Sequence, residues 1–152
     1  WSPPWDRAFK APAARVGTPA PELAVLEESL TPGGGRRLRL HLASPRGARD
    51  ARLLIPAAAK LQSLAIDGRP VETGGRPFAA QQGYYVLGIH TLAPAGYDLD
   101  LVLGERAPQD WYVLDQAPGL PPAGQALSRS RPDTTIPVQD GDTTIVSRKL
   151  QI

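Results

Sequence analysis

Arg37-Leu38-Arg39-Leu40-His41-Leu42 is the stretch that decides the fold. Apolar and polar residues alternate through it without a break. Successive side chains of an extended strand point to opposite faces, so Leu38, Leu40 and Leu42 share one face and Arg37, Arg39 and His41 the other. This is the pattern of a half-buried antiparallel strand, with leucines on a core and charges in water.

The flanking sequence extends that reading. Leu23 to Leu30 is a second strand, joined through the turn Thr31-Pro32-Gly33-Gly34-Gly35, and the two runs make a hairpin. Ser44-Pro45-Arg46-Gly47 is a loop, and Ala51 to Ile55 is a short strand stopped by Pro56. Leu61 to Ile66 runs into Asp67-Gly68, a two-residue hairpin signal because glycine tolerates positive φ. After the break Gly74-Gly75-Arg76-Pro77, Tyr84 to His90 is rich in β-formers. Tyr97 to Leu103 alternates again, with Tyr97, Leu99, Leu101 and Leu103 expected inward. Asp110 to Asp115 is a further strand, followed by a loop at Pro118-Gly119-Leu120-Pro121-Pro122. Pro137 to Gln151 reads as a tight acidic turn feeding a last strand from Thr143 to Gln151. Ala57 to Leu61 is the one helical candidate and is too short to stand alone. About eight to ten short strands between such breakers predict an all-β fold, a single antiparallel β-sandwich of jelly-roll type over residues 22–152. Residues 1–21 contain Pro3, Pro4, Pro12, Pro19 and Pro21, which rule out a helix interior or a central strand. They are expected to form a linker or extended arm, pinned in a surface groove by Trp1, Trp5 and Phe9.

The bulk properties exclude several classes of function. The chain has 152 residues, enough to bury one core without staples. It has no cysteine, so disulfides and thiolate metal sites are absent. Seventeen basic and fifteen acidic residues leave a net charge of +2. The densest basic cluster, Arg36, Arg37 and Arg39, is read as a solvated strand face rather than the basic patch a nucleic-acid binder needs. No apolar run approaches the ~20 residues of a membrane helix, so direct insertion by this chain is not expected. The lack of methionine and the opening Trp1-Ser2-Pro3-Pro4-Trp5 are expected of a segment cut from a longer protein.

Candidate chemistry is sparse. His41 and His90 are the two histidines, and neither belongs to a short His/Glu ligand motif. A metal site pairing His90 with Asp98 or Asp100 across a hairpin is the one arrangement the spacing allows. Asp140-Gly141-Asp142 stops short of the acidic series a calcium loop uses and reads as a capped β-turn. None of Ser29, Ser44, Ser63, Ser128, Ser130 and Ser147 sits in a nucleophile elbow. Gly33-Gly34-Gly35 precedes a strand, so it lacks the helix N-terminus of a phosphate loop. Asp98 and Asp100, with Glu105, Asp110 and Asp115 nearby, read as solvent-facing charges. Trp111, Tyr112, Tyr84 and Tyr85 are the candidate ligand or partner surface. Alternation lets only one of each adjacent pair face outward.

Three segments carry a likeness to a known family. They are Tyr112-Val113-Leu114-Asp115-Gln116-Ala117-Pro118-Gly119-Leu120-Pro121, Ser130-Arg131-Pro132, and Asp140-Gly141-Asp142-Thr143-Thr144-Ile145-Val146-Ser147-Arg148. Together they resemble the closing β-domain of bacterial membrane-bound aminopeptidase-like metallopeptidases of the di-zinc type, with weaker support from Ile66-Asp67-Gly68. Ala117 stands where the family pattern has serine. The endoplasmic-reticulum metallopeptidases have a similar layout. The resemblance implies a non-catalytic accessory domain on the extracytoplasmic, periplasmic side of the inner membrane. Its partners would be the peptidase and membrane domains of its parent chain. Zinc would belong to that peptidase domain, with no cofactor in this segment. The role implied is to stabilise the parent, hold a partner or present substrate. The alternative, from the aromatic residues, is a free-standing carbohydrate-binding β-sandwich.

Overall fold

A computed structural model describes residues 16–136 and 141–152. The leucine alternation lies on β2 (Arg36–Ala43), which β1 (Glu22–Leu30) flanks on one side and β7 (Tyr97–Leu103) on the other. β4 (Leu61–Ile66) and the two-residue β5 (Arg69–Pro70) complete a five-stranded antiparallel sheet in the order β1-β2-β7-β4-β5. A four-stranded antiparallel sheet has the order β6-β3-β8-β9, from β6 (Tyr84–Ile89), β3 (Asp50–Pro56), β8 (Asp110–Pro118) and β9 (Thr143–Gln151). The fold is therefore an all-β sandwich, with the last strand at the bounds its sequence indicated.

The core is the meeting of the two inner faces. Leu38 lies opposite Leu101 and Leu40 opposite Leu99, and these leucines, with Leu42 and Leu103, are fully buried. Leu53, Ile55, Trp111 and Val113 close on them from the four-stranded sheet. Each such side chain contributes about 1.5–3 kcal/mol relative to an exposed one. Tyr97 stands at the rim, half-buried, and donates its hydroxyl to the Thr91 carbonyl at 2.9 Å. Asp67 and Gly68 both have positive φ, at 47° and 73°, the backbone a type I′ hairpin turn requires.

Two expectations need correction: that Ala57 to Leu61 is the one helical candidate, and that Arg36 lies on a solvated face. Residues after Pro121 do not continue as loop: α1 spans Pro122–Arg129. Proline at the first helical position loses no hydrogen bond there and presets φ, and Ala123, Gln125 and Ala126 are compatible with a helix. Ala57–Ala59 forms only a single 3-10 turn. Arg36 does not belong to a solvated face. It lies on the leucine side of β2, is 4% exposed, and donates to Glu28 at 3.2 Å. Of the proline-rich arm, residues 16–21 are described and have no regular structure, with Pro21 buried. Trp1, Trp5, Phe9 and Asp140 lie outside the described residues.

Candidate functional site

Strand pairing maps the outer face of the four-stranded sheet. Val86, Leu54, Tyr112 and Lys149 form one cross-strand row. Gly88, Arg52, Leu114 and Ser147 form the next, and Asp50, Gln116 and Ile145 the third. Val86 is 50% exposed and Ile145 60%. Tyr84 lies beside this apolar area and meets Tyr112 edge to face, with ring centroids 6.0 Å apart and planes at 79°. Lys149 is held at the margin by Asp110 at 2.7 Å, and this pairing raises the lysine's pKa.

A hollow of about 180 Å³ opens at one end of this face. Ala51, Ile89, Leu114 and Ile145 give it apolar walls, and Asp50, Arg52, His90 and Gln116 line its polar side. His90 Nδ1 lies 3.2 Å from Asp50. Arg52 is exposed and has no hydrogen bond or ion pair among the described residues.

Asp115 lines the same hollow from beneath. It follows Trp111 and Val113 on the inner face of β8 and is 1% exposed. A buried carboxylate is costly unless its lone pairs are used. The turn after β2 supplies the donors. Ser44 Oγ donates to it at 2.5 Å, and Arg46 grips it through Nε at 3.0 Å and Nη2 at 2.7 Å. Arg46 Nη2 also donates to the Thr144 carbonyl at 2.9 Å, tying that turn to β9. The carboxylate is thereby spent on joining the β2–β3 turn to β8 and β9, and is not poised toward a ligand.

The segments that carry the family likeness meet just beyond this point. Asp142 accepts two bonds from Arg131, at 2.9 and 2.6 Å, and one from Ser128 at 3.2 Å. The Arg131 bond, aided by Ser128, holds the Asp142 carboxyl below the usual aspartate range, against the opposing effect of partial desolvation. Gly119 N–H donates to the Asp142 carbonyl, and Thr144 Oγ1 donates to the Gly119 carbonyl, both at 2.6 Å. Asp142 itself has φ of +55°, a conformation aspartate tolerates better than most residues.

The five-stranded sheet carries its charge on the outside. Asp98 lies 2.8 Å from His41 Nδ1 and 2.8 Å from Arg39 Nη2, and Arg39 also reaches Glu27 at 3.4 Å. The His41 contact first and Arg39 second lower the pKa of Asp98. Asp98 thus belongs with His41, while His90 belongs with Asp50, so the His90 site with Asp98 or Asp100 does not form. Among the described residues no group of three or more His, Cys, Asp or Glu is placed to hold a metal ion. No helix among them is long and apolar enough to cross a membrane.

The sequence-derived surface residues divide. Trp111 is fully buried in the core and is withdrawn from the ligand surface. Tyr85 also turns inward and packs on the core, whereas Tyr84 and Tyr112 face outward and are half-buried. Asp115, Ser44, Arg46 and Arg52 were missed as site residues. The reading of Asp115 as a solvent-facing charge is corrected, since it is 1% exposed, and its position in the alternation of 111, 113 and 115 is the signal that puts it on the core face. Ser44 and Arg46 had none, because only tertiary folding brings their turn to β8. No family model matches the chain, and no match is found among the curated proteins.

Proposed function

We propose that this chain is the non-catalytic closing domain of a membrane-anchored, zinc-dependent aminopeptidase-like peptidase, placed on the extracytoplasmic side and docked against the rest of its parent. The observation that carries the reading is the convergence of the three family-like segments. Arg131, Gly119, Asp142 and Thr144 come from separate pieces of sequence and spend their hydrogen bonds on one another. Residues spent in this way specify an architecture rather than a reaction. The zinc of such a peptidase would be held by its catalytic domain. Val86 and Ile145, exposed on the outer face of the four-stranded sheet, are compatible with such docking.

The carbohydrate reading retains Tyr84 and Tyr112 on one exposed face. Their rings stand at 79°, however, so they do not form the flat platform on which a sugar stacks, and the largest ring, Trp111, is in the core.

The test is made on the parent reading frame and on the purified chain. Upstream of Trp1 we expect several apolar segments of membrane length and a His/Asp/Glu zinc-ligand set. The purified chain, supplied with zinc and an aminoacyl p-nitroanilide, is expected to release no nitroaniline. Metal-dependent release, or a secretion signal directly preceding Trp1, overturns the proposal.

A further inference from the structure

We propose that residues 1–15 of this chain close the open margin of the sandwich, with Trp5, Arg7 and Phe9 laid along the core-facing side of β1 against Leu30, Glu28 and Val25. The inference stands apart from the peptidase reading and concerns how the domain completes its own core. Five strands face four. A cleft whose walls include Arg69 and Pro70 of β5 and Gly88 and Ile89 of β6 sets those two strands at one margin, so β1 and β9 share the other. Leu23, Val25, Glu28 and Leu30 lie opposite Leu42, Leu40, Leu38 and Arg36 of β2, and therefore point to its buried side. Leu23 is buried, but Val25 is 48% exposed and Leu30 62%. Apolar side chains turned to the core side and still in water mark a place where the second layer stops short. β9 shows the same from the opposite sheet. Its Val146, Arg148 and Leu150 lie opposite Asp115, Val113 and Trp111, and none of the three is fully buried. Among the described residues the outer edge of β9 pairs with no strand.

The register of β1 selects the occupant. Leu40 and Arg36, opposite Val25 and Leu30, are four positions apart, and Leu38, opposite Glu28, is midway. The bulge after Val25 absorbs the extra residue. The order along this side of β1 is thus apolar, acidic, apolar, in two-residue steps of about 7 Å. Residues 5, 7 and 9 of an extended chain share one face at the same steps, and here they are Trp5, Arg7 and Phe9. Glu28 is half-exposed and gives Oε1 to Arg36 at 3.2 Å, which leaves the carboxylate an open side for Arg7. Between Pro4 and Pro12 the segment is free of proline. The chain runs from residue 15 through residues 16–21 into Glu22, so a segment doubling back runs antiparallel to β1. That direction brings Phe9 to Val25 and Trp5 to Leu30. The reach suffices, since fifteen residues span up to ~50 Å and the nine of β1 about 30 Å.

The test is nuclear Overhauser contact in the isotopically labelled full chain. Cross-peaks are expected from the Phe9 ring to the Val25 methyls and from the Trp5 indole to the Leu30 methyls. Arg7→Glu, which sets two like charges together, and Leu30→Lys should each abolish both sets. Val86→Lys, on the other sheet, should keep them. The amide spectrum of β3 and β8 checks that each variant is folded. Cross-peaks from Trp5 and Phe9 to other residues, or to none, overturn the inference. So does their survival in Arg7→Glu. A mixture of labelled and unlabelled chains shows whether segment and strand belong to one molecule. Cross-peaks found only between copies would give this margin to a second chain and overturn the inference as well. All these outcomes leave the peptidase reading standing, and a parent frame without zinc ligands leaves this one untouched.

Discussion

The two sheets tie up their charges differently, although each buries one, Arg36 in the five-stranded sheet and Asp115 in the four-stranded sheet. The five-stranded sheet gathers charge on the outside, where Glu27, Arg39, Asp98 and His41 form a ladder across β1, β2 and β7. The four-stranded sheet puts its most constrained charge underneath, at Asp115, and leaves Leu54, Val86, Tyr112, Leu114 and Ile145 on its outer face. Water already satisfies the first surface. The second has an apolar centre, which gains by being covered. The centre of the five-stranded sheet is thus a wet face and that of the four-stranded sheet a dry one, although Val25, Leu26 and Leu30 are exposed on β1 at the edge of the former.

The largest expected effect is at the buried charge. Asp115→Ala strands Arg46, whose side chain is 13% exposed, and leaves Ser44 Oγ without its acceptor. Loss of one partner of a buried pair costs about 3–5 kcal/mol, to be read from the midpoint of denaturant unfolding. Asp98→Asn on the wet face should cost far less. If the two variants unfold at the same denaturant concentration, the contrast between the sheets fails.

Acid comes next. Asp98 and Asp142 both have folded pKa values below the unfolded aspartate value of about 3.9. A depressed carboxyl contributes stability that is fully present above the unfolded value and is lost as pH falls through the folded one. The melting temperature should therefore drop between neutral pH and the region below pH ~4. Asp142→Asn should remove part of that drop. An equal drop in the variant would deny Asp142 its role in fastening β9.

Salt separates the sheets more gently. At 1 M salt the screening length is about 3 Å, so the difference in stability between the wild type and Asp98→Asn should shrink, while that for Asp115→Ala should persist. Thermal melts at low and high salt measure both. The smallest effect on folding is expected from Val86→Lys combined with Ile145→Lys. Each site is at least half exposed, and stability should move by no more than about 0.5 kcal/mol per site. Binding of an apolar fluorescent dye should nonetheless fall clearly. Unchanged dye binding would mean that the dry face is not the molecule's adhesive one.

Much of the fold was legible because its strands have a period of two. Arg37 to Leu42 and Tyr97 to Leu103 each announce which side is core, and Asp67-Gly68 announces its turn through backbone sterics. The helix at Pro122–Arg129 was obscured by the prolines and glycine before it. A proline that breaks a strand can also open a helix, and the residues on its C-terminal side decide between the two. The site was less legible. Alternation alone allowed one outward residue in each of Trp111/Tyr112 and Tyr84/Tyr85. It was the packing of Trp111 against the leucines that chose Tyr112, and the pairing of β6 with β3 that chose Tyr84.

By itself the amino-acid sequence determined which segments are extended and which of their faces are oily, since those properties depend only on neighbours along the chain. It also determined that no thiol chemistry operates here. Tertiary structure alone decided that Ser44 and Arg46 serve Asp115 and that Arg131 fastens Asp142. Such pairings join residues far apart in sequence, and their distances exist only once the two sheets have closed.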